Sequence, residues 1–191
     1  MYKLCKTEQS ARRQRELEQG LLAAMSTHQY EEITVSDLCD QLNIPRKSFY
    51  RDFSSKAGAL HALIDHTLLE YEGFSSTRGT SEKRTFQIDL EHFFGFWKKH
   101  RDLLDALARS GISGTLVLRS IDQALSDIGM PKRFLPQQER LAREHATMFG
   151  VCGLMSMVLN WHNDGFALSE SQMAAIAVEL LTKPLFAAPE K

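Results

Sequence analysis

Apolar residues recur at spacings of three and four along most of the chain, and β-branched alternation is scarce. The pattern therefore predicts helices throughout. The first covers about Thr7 to His28, with Leu17, Leu21, Leu22, Ala24 and Met25 as its apolar stripe. Near Thr34 a short second helix opens, "VSDLCDQL", and Asn43, which tolerates left-handed backbone, ends it. Pro45 suits the first position of a third helix, "PRKSFYRDF". Two short helices joined by a tight turn form a helix-turn-helix pattern. A fourth helix opens near Ser54 or Ser55, either of which serves as an N-cap, and carries Leu60, Leu63, Ile64, Leu68 and Tyr71 on one face.

The run "GFSSTRGTS", residues 73–81, breaks the pattern with glycine, serine and threonine and marks a domain boundary. An aromatic segment follows, with Phe86, Phe93, Phe94, Phe96 and Trp97. Further helices are expected over about 113–128, from Gln137 to the "NDG" after Asn163, and from Ser169 to Leu181, with "GMPKRFLP" as a loop. The expected organisation is an all-α chain. Residues 1–72 form a three-helix helix-turn-helix domain, 73–81 a linker, 82–186 a helical ligand-binding and dimerisation domain, and 187–191 a tail.

Composition narrows the function classes. The 191 residues are 43% hydrophobic and 25% charged, ordinary for a globular chain. Net charge is −1, so any affinity for nucleic acid has to come from local charge. Cys5, Cys39 and Cys152 are odd in number and far apart, which argues against a disulfide framework or a zinc site and for reduced thiols. No apolar run reaches membrane-spanning length, and the N-terminus lacks the apolar core of a secretory signal. A cytoplasmic protein with no membrane partner is expected. The pairs His61 and His66, His92 and His100, and His145 and His162 form no tight ligand set, so no metal is expected. With no G-x-S-x-G, phosphate loop or paired carboxylate motif, neither an enzyme nor a cofactor is expected.

Local charge changes the picture at one place. Between residues 42 and 58 stand Arg46, Lys47, Arg51 and Lys56 against Asp52 alone, a local charge of +3. On a helix starting at Pro45, Phe49 and Phe53 share an inward face, while Arg46 with Tyr50 and Lys47 with Arg51 occupy neighbouring rows of the other. That is the layout of a recognition helix whose first turn meets base edges in a major groove. Arg46 and Lys47 suit guanine acceptors, and Ser48, Tyr50 and Lys56 suit phosphates. A solvated helix face with ordinary cations remains the alternative.

The stretch "ITVSDLCDQLNIPRKSFYRDFSSKAGAL", residues 33–60, with the preceding "LLAAMSTHQYEE", resembles the TetR/AcrR family of transcriptional regulators. The resemblance covers about residues 10–70 and rests on Thr34, Leu38, Cys39, Phe49, Tyr50, Phe53 and Lys56 at their spacings. It implies a homodimer, most often a repressor, that binds a palindromic double-stranded DNA operator and answers to a small-molecule effector of unknown identity. By position, Ser36, Arg46, Lys47, Ser48 and Tyr50 fall where family members approach bases, and Thr34, Tyr50, Arg51 and Lys56 fall near phosphates. The chain departs from the family at Gln29 and Asn43, where glycine is common, and at Asp52, where histidine is frequent. A carboxylate at 52 is expected to repel the DNA backbone unless Arg51 or Lys56 neutralises it, and residues 1–73 hold 9 Lys or Arg against 11 Asp or Glu. The segments "FFGFWKKHRDLLDAL" and "GLMSMVLNWHNDGFALSESQM" are similar to a branch that includes regulators of dihydroxyacetone kinase operons. One kind of member there works as a co-activator with a partner protein. A TetR-like co-activator or interaction module with weak or lost DNA binding is therefore the second expectation.

The helix from Gln137 carries two apolar stripes, Leu141, His145, Met148, Cys152, Met155 and Leu159 on one side and Val151, Leu154, Val158 and Trp161 on the other. One side can face its own domain and the other a partner. With the last helix this predicts a four-helix dimer seam of Val151, Leu154, Val158, Trp161, Met173, Ile176 and Leu180 about a two-fold axis. A ligand pocket needs apolar walls and a few polar groups. Phe93, Phe96, Trp97, Leu104, Leu107, Leu116, Met148 and Cys152 are candidate walls, and His92, His145 and Asn160 candidate polar groups. Each of these also reads as ordinary core.

Overall fold

A computed structural model describes Tyr2 and residues 8–76, 85–127 and 137–183. Among them the chain is all-α, with nine α-helices, one 3-10 turn and a single antiparallel bridge between Tyr2 and Phe53. The loop "GMPKRFLP", the tail 187–191 and most of the linker 73–81 lie outside the described residues.

Helix α1 spans Glu8–Met25, and a 3-10 turn, Tyr30–Glu32, leads to α2, Val35–Gln41. Thr34 caps α2 by accepting from the Asp37 N–H at 3.1 Å. Asn43 takes a φ of 52°, the left-handed turn expected of it, and α3 follows as Arg46–Asp52 with Pro45 as its extended cap. Ser55 accepts from the Gly58 N–H at 3.2 Å and opens α4, Lys56–Ser76. The described helix runs through Gly73 to Ser76, into the 73–81 stretch where the pattern is expected to break.

Helices α5, Phe86–Lys99, and α6, Arg101–Arg109, meet at His100, whose N–H bonds back to the Phe96 and Trp97 carbonyls. At Gly111, with φ 66°, α6 stops; the Ile112 N–H reaches the Leu107 carbonyl at 3.0 Å, a left-handed cap that glycine adopts without strain. Then come α7, Gly114–Asp127, α8, Gln137–Asn163, and α9, Glu170–Thr182, the last capped by a reciprocal box between Ser169 and Gln172.

The helices gather into two compact units that are not consecutive halves of the chain. Unit 1 is Met1–Glu70 with Asp102–Gln123, and unit 2 is Tyr71–Arg101 with Ala124–Lys191. Leu17, Leu21, Met25, Leu38, Phe49, Phe53, Ile64, Leu104, Leu107 and Leu116 form the core of unit 1. There α1 and α2 approach closely: a Cβ on Gly20 would lie 2.5 Å from Leu42 Cδ1. Three buried carboxylates are each paired within unit 1. Glu18 meets His66 Nδ1 at 2.9 Å, with Arg15 at 3.8 Å. Asp65 accepts two bonds from Arg119 and one from the Tyr2 hydroxyl, and burial with that carboxylate pushes the Tyr2 phenol up to about 12. Asp52 pairs with Arg13.

In unit 2, α5 packs along α9 and touches α8. Lys98 reaches Glu170 at 2.8 Å, Ser171 donates to Glu91 at 2.8 Å, and Phe94 meets Trp161 edge-on at 5.6 Å. Phe94, Trp97, Met155, Val158, Trp161, Met173 and Ala177 are the buried core. No helix of the described residues is long and apolar enough to cross a membrane.

Candidate nucleic-acid interface

The third helix has two chemically distinct faces. Phe49 is fully buried and Phe53 nearly so, with ring centroids 5.2 Å apart. Arg46, Lys47, Tyr50 and Arg51 are exposed, Tyr50 by 56%. Phe49 also meets Tyr50 edge-on at 5.4 Å, so the anchoring ring orients the exposed one. Ser48 is half-buried. Thr34 and Ser36 stand at the start of α2, which packs on α3. Their hydroxyls face local carboxylates: Thr34 donates to Asp37 at 2.6 Å, and Ser36 lies 3.5 Å from Asp40. The structure thus brings four of the eight sequence-nominated residues onto one exposed face, and leaves Ser36 and Ser48 half-covered beside it.

Lys56 is differently placed. Its ammonium donates to the Tyr30 carbonyl, to Ile33 O at 2.6 Å and to Glu31 O at 3.4 Å, and sits 4.2 Å from the Tyr30 ring centroid. Burial pulls its pKa below the ordinary lysine value. An ammonium has three donors, and all three face the chain that enters α2. Lys56→Met is accordingly expected to cost about 1–3 kcal/mol of stability by orphaning those carbonyls. The salt slope of any DNA affinity should stay the same, whereas losing a phosphate contact lowers that slope by about 1. Thermal unfolding beside a salt titration separates the two.

The carboxylate at 52 is not turned outward. Asp52 is 5% exposed, and Arg13 Nε and Nη2 reach its oxygens at 3.0 and 3.3 Å. Arg51 Nε lies farther, at 3.8 Å, and Lys56 is occupied elsewhere. The nearer neutralising cation is therefore on α1, with Arg51 of α3 as a second, more distant partner, and Lys56 takes no part. Sequence reasoning missed Arg13, although a signal existed: it stands four residues before Leu17 and seven before Gly20, on the buried face of α1.

The residues nominated for ligand binding do not form one group. Leu104 and Leu116 are fully buried in unit 1. In unit 2, Phe96 and Trp97 are buried, Phe93 and Cys152 are half-buried, and His145 and Met148 are exposed on α8, with His145 Nδ1 2.7 Å from the Leu141 carbonyl. Of the residues nominated for a dimer seam, Val158, Trp161 and Met173 are buried within unit 2, Val151 and Leu154 are half-buried, and Ile176 and Leu180 are exposed. Trp161, Met173, Ile176 and Leu180 line a groove of about 380 Å³ between α8 and α9, with Met157 and Asn160. A second cleft, of about 320 Å³, lies in unit 1 between α1 and α6, lined by Gln19, Ser26, Asp105 and Arg109 among others. Among the described residues no three His, Cys, Asp or Glu stand together as metal ligands. Burial raises the Cys39 thiol pKa above its ordinary value.

No family model matches the sequence, and no curated protein matches it. Among solved structures, the chain is similar to one described as the fatty acid degradation regulator FadR from Bacillus halodurans. The TM-score is 0.55 at 14% identity, over 95% of this chain and 98% of that one. At that identity the likeness is one of fold, and it runs nearly end to end.

Proposed function

We propose that this chain is a TetR/AcrR-type transcriptional regulator, a ligand-responsive homodimeric repressor that reads palindromic double-stranded DNA with α3. The observation that carries the reading is the exposed set Arg46, Lys47, Tyr50 and Arg51, opposite the fully buried Phe49 in a helix-turn-helix. The end-to-end fold likeness to a protein described as a regulator supports it. On this reading Arg46 and Lys47 meet base edges, assisted by Ser36 and Ser48. Tyr50, Arg51 and Thr34 hold phosphates. Lys56 fixes the entry to α2. Residues 1–72 serve as the DNA-reading domain and 82–186 as the effector and dimer domain. The protein works in the cytoplasm, catalyses no reaction and uses no cofactor.

Two copies of α3 then sit about 34 Å apart, one turn of DNA. An effector releases DNA only if it binds the two spacings with different affinity. The test is selection from a random duplex pool. Enrichment of a two-fold symmetric site with half-sites one turn apart supports the reading, and a pool with no enrichment contradicts it.

The dimer seam is proposed along α8 and α9, with buried Val158, Trp161 and Met173 as its floor and exposed Ile176 and Leu180 meeting the second copy. Light scattering at micromolar concentration is expected to give twice the chain mass. Ile176→Glu with Leu180→Glu is expected to give the chain mass alone. A wild-type monomer under those conditions contradicts the seam.

The alternative reading is a TetR-like co-activator or interaction module with weak DNA binding. One observation favours it: α2 exposes Asp37 and Asp40 within the helix-turn-helix, where phosphates are expected to approach. That reading predicts no enriched duplex and capture of a partner protein instead.

A further inference from the structure

The 3-10 turn that leads into α2 buries none of its three residues, so no apolar packing seats it. Polar bonds do. Lys56 holds its carbonyls from α4, and the Tyr30 N–H donates to Ser110 Oγ at 3.0 Å. Ser110 is half-buried and directly follows the last residue of α6, where Gly111 turns the chain away. The bond spans 80 residues of sequence. It joins the end of α6 to the segment from which Thr34 caps α2.

The other end of the helix-turn-helix is tied in a similar way. Phe53, extended at φ −126° and ψ 139°, ends α3 and pairs with Tyr2 in an antiparallel bridge. The Tyr2 hydroxyl donates to Asp65 of α4 at 2.9 Å, and its ring meets His66 edge-on at 5.8 Å. Asp65 is 4% exposed and accepts two further bonds from Arg119 of α7. Ser110 and Arg119 both belong to the stretch 102–123, which groups with the first four helices in unit 1. Helices α2 and α3 have seven residues each, too few to hold a direction unaided. Phe49 anchors the middle of α3; ties at the two ends of the motif oppose a tilt about that anchor.

We propose that Ser110 and Tyr2 are positioning residues for DNA reading: they hold the entry to α2 and the exit from α3 against α6 and the Asp65–Arg119 pair, and so set the tilt of the recognition face without touching DNA. The consequence for DNA rests on the regulator reading; the two ties themselves do not.

Amide hydrogen exchange of the full chain without DNA reads how firmly each end is held. Ser110→Ala is expected to speed exchange about two- to tenfold, the loss of about one hydrogen bond, at Tyr30 and also at Asp37 and Leu38, whose N–H groups bond to Thr34. Tyr2→Phe should do the same at Phe53, whose N–H closes the last turn of α3 on Phe49. Leu21 in α1 and Leu104 in α6 should keep their rates. Both variants should bind the duplex upstream of the protein's own coding sequence about two- to tenfold more weakly, with the salt slope unchanged because no phosphate contact is lost. Ser110→Thr, which keeps the hydroxyl, should restore both readouts. Faster exchange at Tyr30 alone overturns the proposal, since the bond then seats nothing beyond itself. So does unchanged exchange at Phe53 in Tyr2→Phe, or acceleration spread evenly over unit 1, which assigns both bonds to global stability. Selective DNA affinity kept in full by both variants overturns the positioning role. Localised acceleration beside a wild type with no selective DNA affinity sinks the regulator reading and leaves the two ties standing.

Discussion

Phe49→Ala is expected to destabilise unit 1 by about 3–5 kcal/mol, the usual cost of removing a large buried ring, and to abolish selective DNA binding with it. The side chain is fully buried and touches both Phe53 and Tyr50. Helix α3 has only seven residues, too few to hold its shape without packing. Removing its one fully buried ring takes away the anchor and the surface that orients Tyr50. Urea unfolding with an unchanged m-value and a lowered midpoint is the expected form. A loss under about 1 kcal/mol would mean that α3 is held by something other than its aromatic face.

The second large effect is expected at Arg13. Arg13→Ala strands the Asp52 carboxylate where it is only 5% exposed. Removing one partner of such a pair costs about 3 kcal/mol. The pair ties the last residue of α3 to α1, so the recognition helix loosens at its C-terminal end. Arg13 faces inward, and the loss of DNA affinity should therefore come without a change in salt slope. The double variant Arg13→Met with Asp52→Leu should regain most of the stability, because it leaves no buried charge behind. If Arg13→Ala alone unfolds at the wild-type urea concentration, the ion pair does not anchor α3.

Those two residues also show what a sequence discloses. Phe49 was legible because its partner Phe53 stands four residues away on the same helix, and periodicity reports such faces directly. Thr34, Asn43, Ser55 and Ser169 were legible for the same reason: each cap or turn is a local bargain between a side chain and nearby backbone. Arg13 and Asp52 are 39 residues apart, and Asp65 and Arg119 are 54 apart. Spacing puts a charge on a face and says nothing of which distant helix will cover that face. Glu18, Asp52 and Asp65 of the first domain's acidic tally are spent on internal pairs, which a count of charges cannot show.

The same limit governs α8. Its two stripes predict two apolar faces. Periodicity could not say that Val158 and Trp161 are covered within their own unit while Met148 stays exposed. Nor could it assign Leu104 and Leu116 to unit 1, since that grouping arises from packing between helices far apart in the chain. Within the 73–81 stretch the described helix continues past Gly73 to Ser76; glycine weakens a helix by only about 1 kcal/mol, too little to stop one on its own.

The central claim is that the exposed face of α3 reads DNA. Fluorescence anisotropy tests it most directly, with the duplex upstream of the protein's own coding sequence beside a scrambled duplex, for wild type and Arg46→Ala, at several salt concentrations. The account predicts tight, selective binding by the wild type that falls as salt rises, and a loss of about 1–3 kcal/mol for Arg46→Ala on the specific duplex alone. Weak binding, equal on both duplexes and unchanged by Arg46→Ala, would contradict it.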